Sequence, residues 1–113
     1  MDKLNQYQNL LTGLLEKHAK LLELADDDEV QSYRLFDNQH ARYMLCRTGW
    51  LGKKRIQIPY LYVHIKDDKL WIEEDYTEDG LATELLESGI SCDDIVLGFH
   101  HPSMRPYTEF AVA

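Results

Sequence analysis

Residues 55–74, RIQIPYLYVHIKDDKLWIEE, constrain the fold more than any other stretch, because they read as a β-hairpin with apolar side chains on both faces. With Asp67 and Asp68 as a two-residue turn between Lys66 and Lys69, Ile65 pairs with Leu70, His64 with Trp71 and Val63 with Ile72. Side chains alternate along a strand, so Leu61, Val63, Ile65, Leu70 and Ile72 share one face, the expected core. The opposite face collects Ile56, Ile58, Tyr60, Tyr62, His64 and Trp71, too aromatic to be left wholly in water. Something must cover it.

Upstream of the hairpin, Leu4, Tyr7, Leu11, Leu14, His18, Leu21 and Ala25 recur at three- and four-residue spacing, flanked by Leu10, Leu15 and Leu22. This spacing predicts an amphipathic helix. It is expected to lie across the sheet rather than form a coiled-coil seam, since the pattern spans fewer heptads than a coiled coil needs. Gly13 within it costs about 1 kcal/mol against Ala, and His18 reads as a packed, hydrogen-bonded side chain. Residues 26–29 are four consecutive carboxylates, which oppose the helix dipole and so end the helix as a solvated loop. Nothing in them matches the spaced ligands of an EF-hand. Strands follow at residues 30–36 and 41–48, the second broken by Gly49, Trp50 and Gly52 before the basic trio Lys53, Lys54 and Arg55.

Beyond the hairpin, Leu81, Ala82, Leu85 and Leu86 mark a short helix, with Thr77 as its expected N-cap, Glu78 and Asp79 in its first turn and Gly89 as its stop. Residues 95–99 form a fifth strand or an extended segment. The tail, with Tyr107, Phe110 and Val112, is too aromatic for disorder and is the candidate cover for the second face of the hairpin. The fold class is therefore α+β: an antiparallel four- to five-stranded meander with a long N-terminal helix and a short second helix, in one domain over residues 1–113.

Charge and cysteine content narrow the function. A net charge of −8 disfavours non-specific binding to nucleic acid or to an anionic membrane unless the few cations cluster. Cys46 and Cys92 lack CxxC spacing and suit reduced thiols in a cytoplasmic protein. No apolar run is long enough to span a bilayer, and Met1-Asp2-Lys3 does not open a signal peptide.

The run from VHIKDDKLWIEEDYTEDGLATELLESGI through SCDDIVLGFHHPSMRPYTEFAVA, with the opening MDKLNQY and the segment YMLCRTGW, resembles the XisI family, cyanobacterial factors that control excision of the fdxN element. The ordered combination of WI, TE-x-G-L-A-x-E-L, DIVLGFH and YT-x-FAVA makes the resemblance specific. Departures are small: Asp67-Asp68 at the turn, Tyr76 where the family pattern has Gly, and His101 where a second Pro is common. The resemblance implies an accessory role in programmed DNA excision during heterocyst differentiation, with a separate recombinase cutting and rejoining the strands. It also implies a companion, a XisH-like protein resembling the restriction-endonuclease fold. It brings no catalytic residues.

The residues themselves carry no catalytic motif: HExxH, GxSxG and the P-loop are absent from the sequence. No cofactor or metal is expected. His100 and His101 are adjacent and point opposite ways in an extended chain, Cys46 reads as a buried, inert thiol, and Asp93-Asp94 reads as turn chemistry with Ser91 as a cap. Three functions compete. The first is a non-catalytic regulatory subunit acting through protein binding, including a homodimer. The second is a direct DNA-binding module using Lys53, Lys54 and Arg55 with Arg42 and Arg47. The third is a small metal-dependent hydrolase built on His64, His100 or Asp93. The first is favoured, with Tyr60, Tyr62, His64, Trp71, Glu73, Glu74, Glu78 and Asp79 as the candidate interaction surface.

Overall fold

The computed structural model describes residues 2–113. Asp2 opens the first helix, α1 (Lys3–Glu23), where its carboxylate accepts the backbone N–H of Asn5 at 2.7 Å and satisfies a donor that the first turn leaves free. Tyr7, Leu11, Leu15 and Ala19 are its buried residues, while Leu21 is 57% exposed. The buried stripe is thus rotated from the expected line through Leu14, His18, Leu21 and Ala25. Two ties set that rotation: the Tyr7 hydroxyl donates to Asp94 Oδ2 at 2.6 Å, and His18 Nε2 lies 2.7 Å from Glu84 Oε1. Both polar tips are reached only when the 7–11–15–19 row faces the core.

The acidic segment after α1 is more than a solvated loop. Asp27 Oδ1 accepts the N–H groups of Glu29 and Val30 at 2.8 Å each, and the Asp26 carboxylate takes the N–H and hydroxyl of Ser32 at 2.9 Å. The chain then enters a meander of four antiparallel strands, β1 (Val30–Asp37), β2 (Arg42–Leu51), β3 (Lys54–Lys66) and β4 (Lys69–Asp75). The sheet lies under α1. The β3–β4 register is the one read from sequence: Val63 faces Ile72, His64 faces Trp71 and Ile65 faces Leu70. Asp67 and Asp68 adopt φ of 53° and 59°, the two positive values that a type I′ turn requires. Leu61, Val63, Ile65, Leu70 and Ile72 are all buried, as expected.

Gly49 and Trp50 do not break β2, which continues to Leu51. A Cβ at Gly49 would collide with the Glu29 backbone, because Trp50 N–H bonds to the Glu29 carbonyl at 2.9 Å; glycine permits that close approach and keeps the strand running. The turn to β3 falls instead at Gly52, with φ 61°.

After β4 the chain crosses through α2 (Leu81–Glu87) and returns as β5 (Ile95–Leu97), parallel to β4, which completes the order β1-β2-β3-β4-β5. A parallel neighbour needs such a crossover, so the sheet is antiparallel everywhere except at this last pair. Thr77 does not cap α2. Asp75 does: its Oδ2 accepts the Leu81 N–H at 2.6 Å, and its Oδ1 accepts the Thr77 N–H at 2.9 Å, so Glu78 and Asp79 lie in the loop before the helix and not in its first turn. The helix stops at Gly89, whose φ of 93° matches the expected left-handed stop. Phe110 packs against the core and Ala111 bridges Val96, so the tail is docked. Among the described residues no helix is long and apolar enough to cross a membrane.

Candidate interaction surfaces

Two β-bulges decide which candidate residues share a face. Leu45 faces Leu61 but Cys46 faces Pro59, so Tyr60 is an extra residue on β3. The extra residue turns Tyr60 to the helix side, where it packs against the core instead of joining Tyr62, His64 and Trp71. Past the bulge, Ile58 and Ile56 face Arg47 and Gly49, the residues that alternate in phase with buried Leu45, so these two also leave the outer face. The expected six-residue outer face is therefore corrected to Tyr62, His64 and Trp71. At the second bulge Tyr62 faces Glu74 and Val63 faces Ile72, which leaves Glu73 as the extra residue on β4.

On the outer face the three aromatic rings run in a row. His64 stacks on Trp71 with centroids 5.9 Å apart, and Tyr62 lies 6.2 Å from His64. Glu73 Oε1 sits 3.2 Å from His64 Nε2. Burial pulls the His64 imidazole below its ordinary pKa against the attraction of that carboxylate, which favours the neutral ring. The tail covers one end of the row: the Arg105 guanidinium lies 5.4 Å from the Trp71 ring and is held by the carbonyls of His100 and Gly98. Lys66 adds a second cation at 5.7 Å. The far end stays open, as a shallow cavity of about 290 Å³ bordered by Leu35, Met44, Tyr62 and Arg42.

On the opposite side of the sheet, Tyr60 lines a cleft of about 290 Å³ with Lys17, His18, Thr77, Glu78, Asp79 and Glu84. Burial raises the Tyr60 phenol pKa, and Asp75 and Glu78 raise it further against Arg47. Glu78 and Asp79 are exposed. The eight candidate residues thus divide between two surfaces. Tyr62, His64, Trp71 and Glu73 belong to the outer face and Tyr60, Glu78 and Asp79 to the cleft, while Glu74 stands at the strand end between them.

Several of the groups weighed for chemistry are already engaged, whereas the Asp93 carboxylate and the His100 ring make no hydrogen bond among the described residues. Asp94 binds Lys3 at 2.8 Å as well as the Tyr7 hydroxyl, and Ser91 Oγ accepts the Asp93 N–H. His101 Nδ1 is 2.9 Å from the Ser103 hydroxyl, and burial pushes the Cys46 thiol pKa up. Among the described residues no three metal-ligating side chains converge.

A third surface holds the basic trio that the sequence offered as a DNA-binding alternative, and its shape as a protruding arm was not foreseen. β1 pairs with β2 only as far as Gly49, and β4 pairs with β3 only as far as Leu61, so the end of the β2–β3 hairpin stands out as a two-stranded arm. Its tip carries Lys53, Lys54 and Arg55, with Trp50 50% exposed and Leu51 57% exposed. The signal was present as an absence: residues 38–66 contain no Asp or Glu.

The XisI family model, described as XisI protein, matches residues 1–112. A solved structure of the fdxN element excision controlling factor XisI from Anabaena variabilis is 41% identical, with a TM-score of 0.87 over 99% of this chain and 100% of that one. A XisI-like protein from the same organism is 34% identical, with a TM-score of 0.90 over 97% of this chain and 99% of that one. Curated protein sequences give no match. With the family pattern running from end to end and the same fold in relatives this similar, the chain belongs to the XisI family.

Proposed function

We propose that this protein is a non-catalytic factor controlling excision of a DNA element, and that it works by docking on a protein partner, a XisH-like nuclease-fold companion. The relative named as an fdxN excision controlling factor supports the first part. The observation that carries the second is the exposed pair Glu78 and Asp79 beside the Tyr60 cleft, neither within salt-bridge reach of a cation among the described residues. An acidic rim next to a half-buried aromatic suits a basic surface, including one on which DNA would otherwise lie. The non-catalytic reading rests on the engagement of Asp94, His64 and Cys46 in structural contacts.

Coexpression with the XisH-like protein should give a complex that weakens with salt, because rim charges are screened. Glu78→Lys with Asp79→Lys should slow association by about tenfold and change dissociation less, as measured by surface plasmon resonance. Failure to copurify at low salt, with both proteins folded, refutes the docking mechanism.

A further inference from the structure

The β2–β3 arm separates the charge of the molecule. Residues 38–66 hold six of the twelve Lys and Arg and none of the twenty Asp and Glu, so this segment carries +6 and the remainder −14, which together make the −8 of the chain. At the tip, Lys53, Lys54 and Arg55 form no ion pair among the described residues; Arg55 lies over the Trp50 ring at 5.1 Å. At the base stand carboxylates on both sides. The 26–29 loop is held against β2 by the Trp50 N–H to Glu29 carbonyl bond of 2.9 Å, and the 75–79 loop against β3 by the Tyr76 N–H to Tyr60 carbonyl bond of 3.0 Å. Asp26, Asp27 and Asp75 are bound to neighbouring backbone or hydroxyl groups, but Asp28, Glu29, Glu74, Glu78 and Asp79 have no cation within reach among the described residues.

The tip does not neutralise the 74–79 side of its own base. At ~3.3 Å per residue Lys54 lies roughly 20 Å along β3 from Tyr60, where the 75–79 loop is held, farther than the ~8 Å over which exposed charges interact at physiological salt. The 26–29 loop, bonded at Trp50, is close to Arg55, which reaches back to the Gly49 carbonyl, so the base open to a partner's tip is the 74–79 side. The arm also presents Leu51 and Ile58 on the face in phase with Leu45, the latter 42% exposed, with Trp50 on the opposite face, and the Lys54–Pro59 side of β3 has no neighbouring strand among the described residues. A fitting occupant carries carboxylates one arm's length from a cationic tip and offers an apolar strip between them. A second copy of this chain has both at that spacing.

We propose that the arm is a self-association element: two copies lie with their arms side by side and antiparallel about a twofold axis, each tip on the acidic base of the other. This pairing engages Glu78 and Asp79, the carboxylates also assigned to the excision partner, so the two associations compete for them and the pairing is read in that partner's absence. Light scattering and sedimentation at low salt should show a dimer at tens of micromolar, with affinity falling about tenfold or more as salt rises from ~50 to ~500 mM. The tip variant Lys53→Glu, Lys54→Glu, Arg55→Glu and the base variant Glu74→Lys, Glu78→Lys, Asp79→Lys, each checked for folding by circular dichroism, should be monomeric alone and should form a heterodimer when mixed. A monomeric wild-type protein overturns the proposal, as does a tip variant that still dimerises or a mixture that stays monomeric. A wild-type monomer that shifts duplex DNA through the tip lysines would assign the arm to nucleic acid instead.

Discussion

Asp94 ties the N-terminal helix to the last third of the chain, taking the Lys3 ammonium at 2.8 Å and the Tyr7 hydroxyl at 2.6 Å. Burial works to raise its pKa, but those two donors outweigh burial and hold the carboxyl below its usual range. The sign of the linkage follows. A depressed carboxylate stabilises the fold in full above its unfolded value of about 3.9, and that contribution is lost as pH falls through the folded value. Asp94→Asn should therefore flatten the acid limb of melting temperature against pH; an unchanged limb would show that Asp94 does not drive it. Sequence alone placed Asp94 in turn chemistry, since nothing local shows that Tyr7 lies close by. Asp75 and Thr77 teach the same lesson at short range. Spacing favoured Thr77 as the cap, yet a carboxylate at a strand end reaches the Leu81 N–H, satisfying a donor that Gly80 has no side chain to meet.

Among the elements, the β3–β4 hairpin was the most legible, because a two-residue turn and strict alternation leave one register that buries the aliphatic face. Its turn carries a cost. Asp67 and Asp68 both sit at positive φ, which is unfavourable for residues with a Cβ. Asp68→Gly should raise stability by up to about 1 kcal/mol in a denaturant titration; a loss would mean that the aspartate makes a compensating contact. Tyr60 was misplaced for a reason that alternation cannot detect, since a bulge inserts one residue and reverses the facing of everything before it. The rotation of α1 was hidden for a related reason: its leucines surround much of the helix, and the choice of buried row depends on Tyr7 and His18 finding partners 87 and 66 residues away.

For the whole molecule, the four-strand meander, the docked tail and the covering helix were readable from periodicity and composition, whereas the division of the candidate surface was not. The eight residues proposed from sequence occupy both sides of the sheet, and the tail shields only the Trp71 end of the outer face. That division gives the chain two built-in optical reporters, for its two tryptophans occupy unlike environments: Trp50 is half exposed on the arm, and Trp71 is flanked by His64, Lys66 and Arg105 beneath the tail. Indole emission shifts to the red in water and to the blue when shielded. Trp71→Phe should leave red-shifted fluorescence that responds to whatever binds the arm, and Trp50→Phe should leave blue-shifted fluorescence that reddens only when the tail lifts. If both variants emit alike, the two environments are not as distinct in solution as the fold makes them.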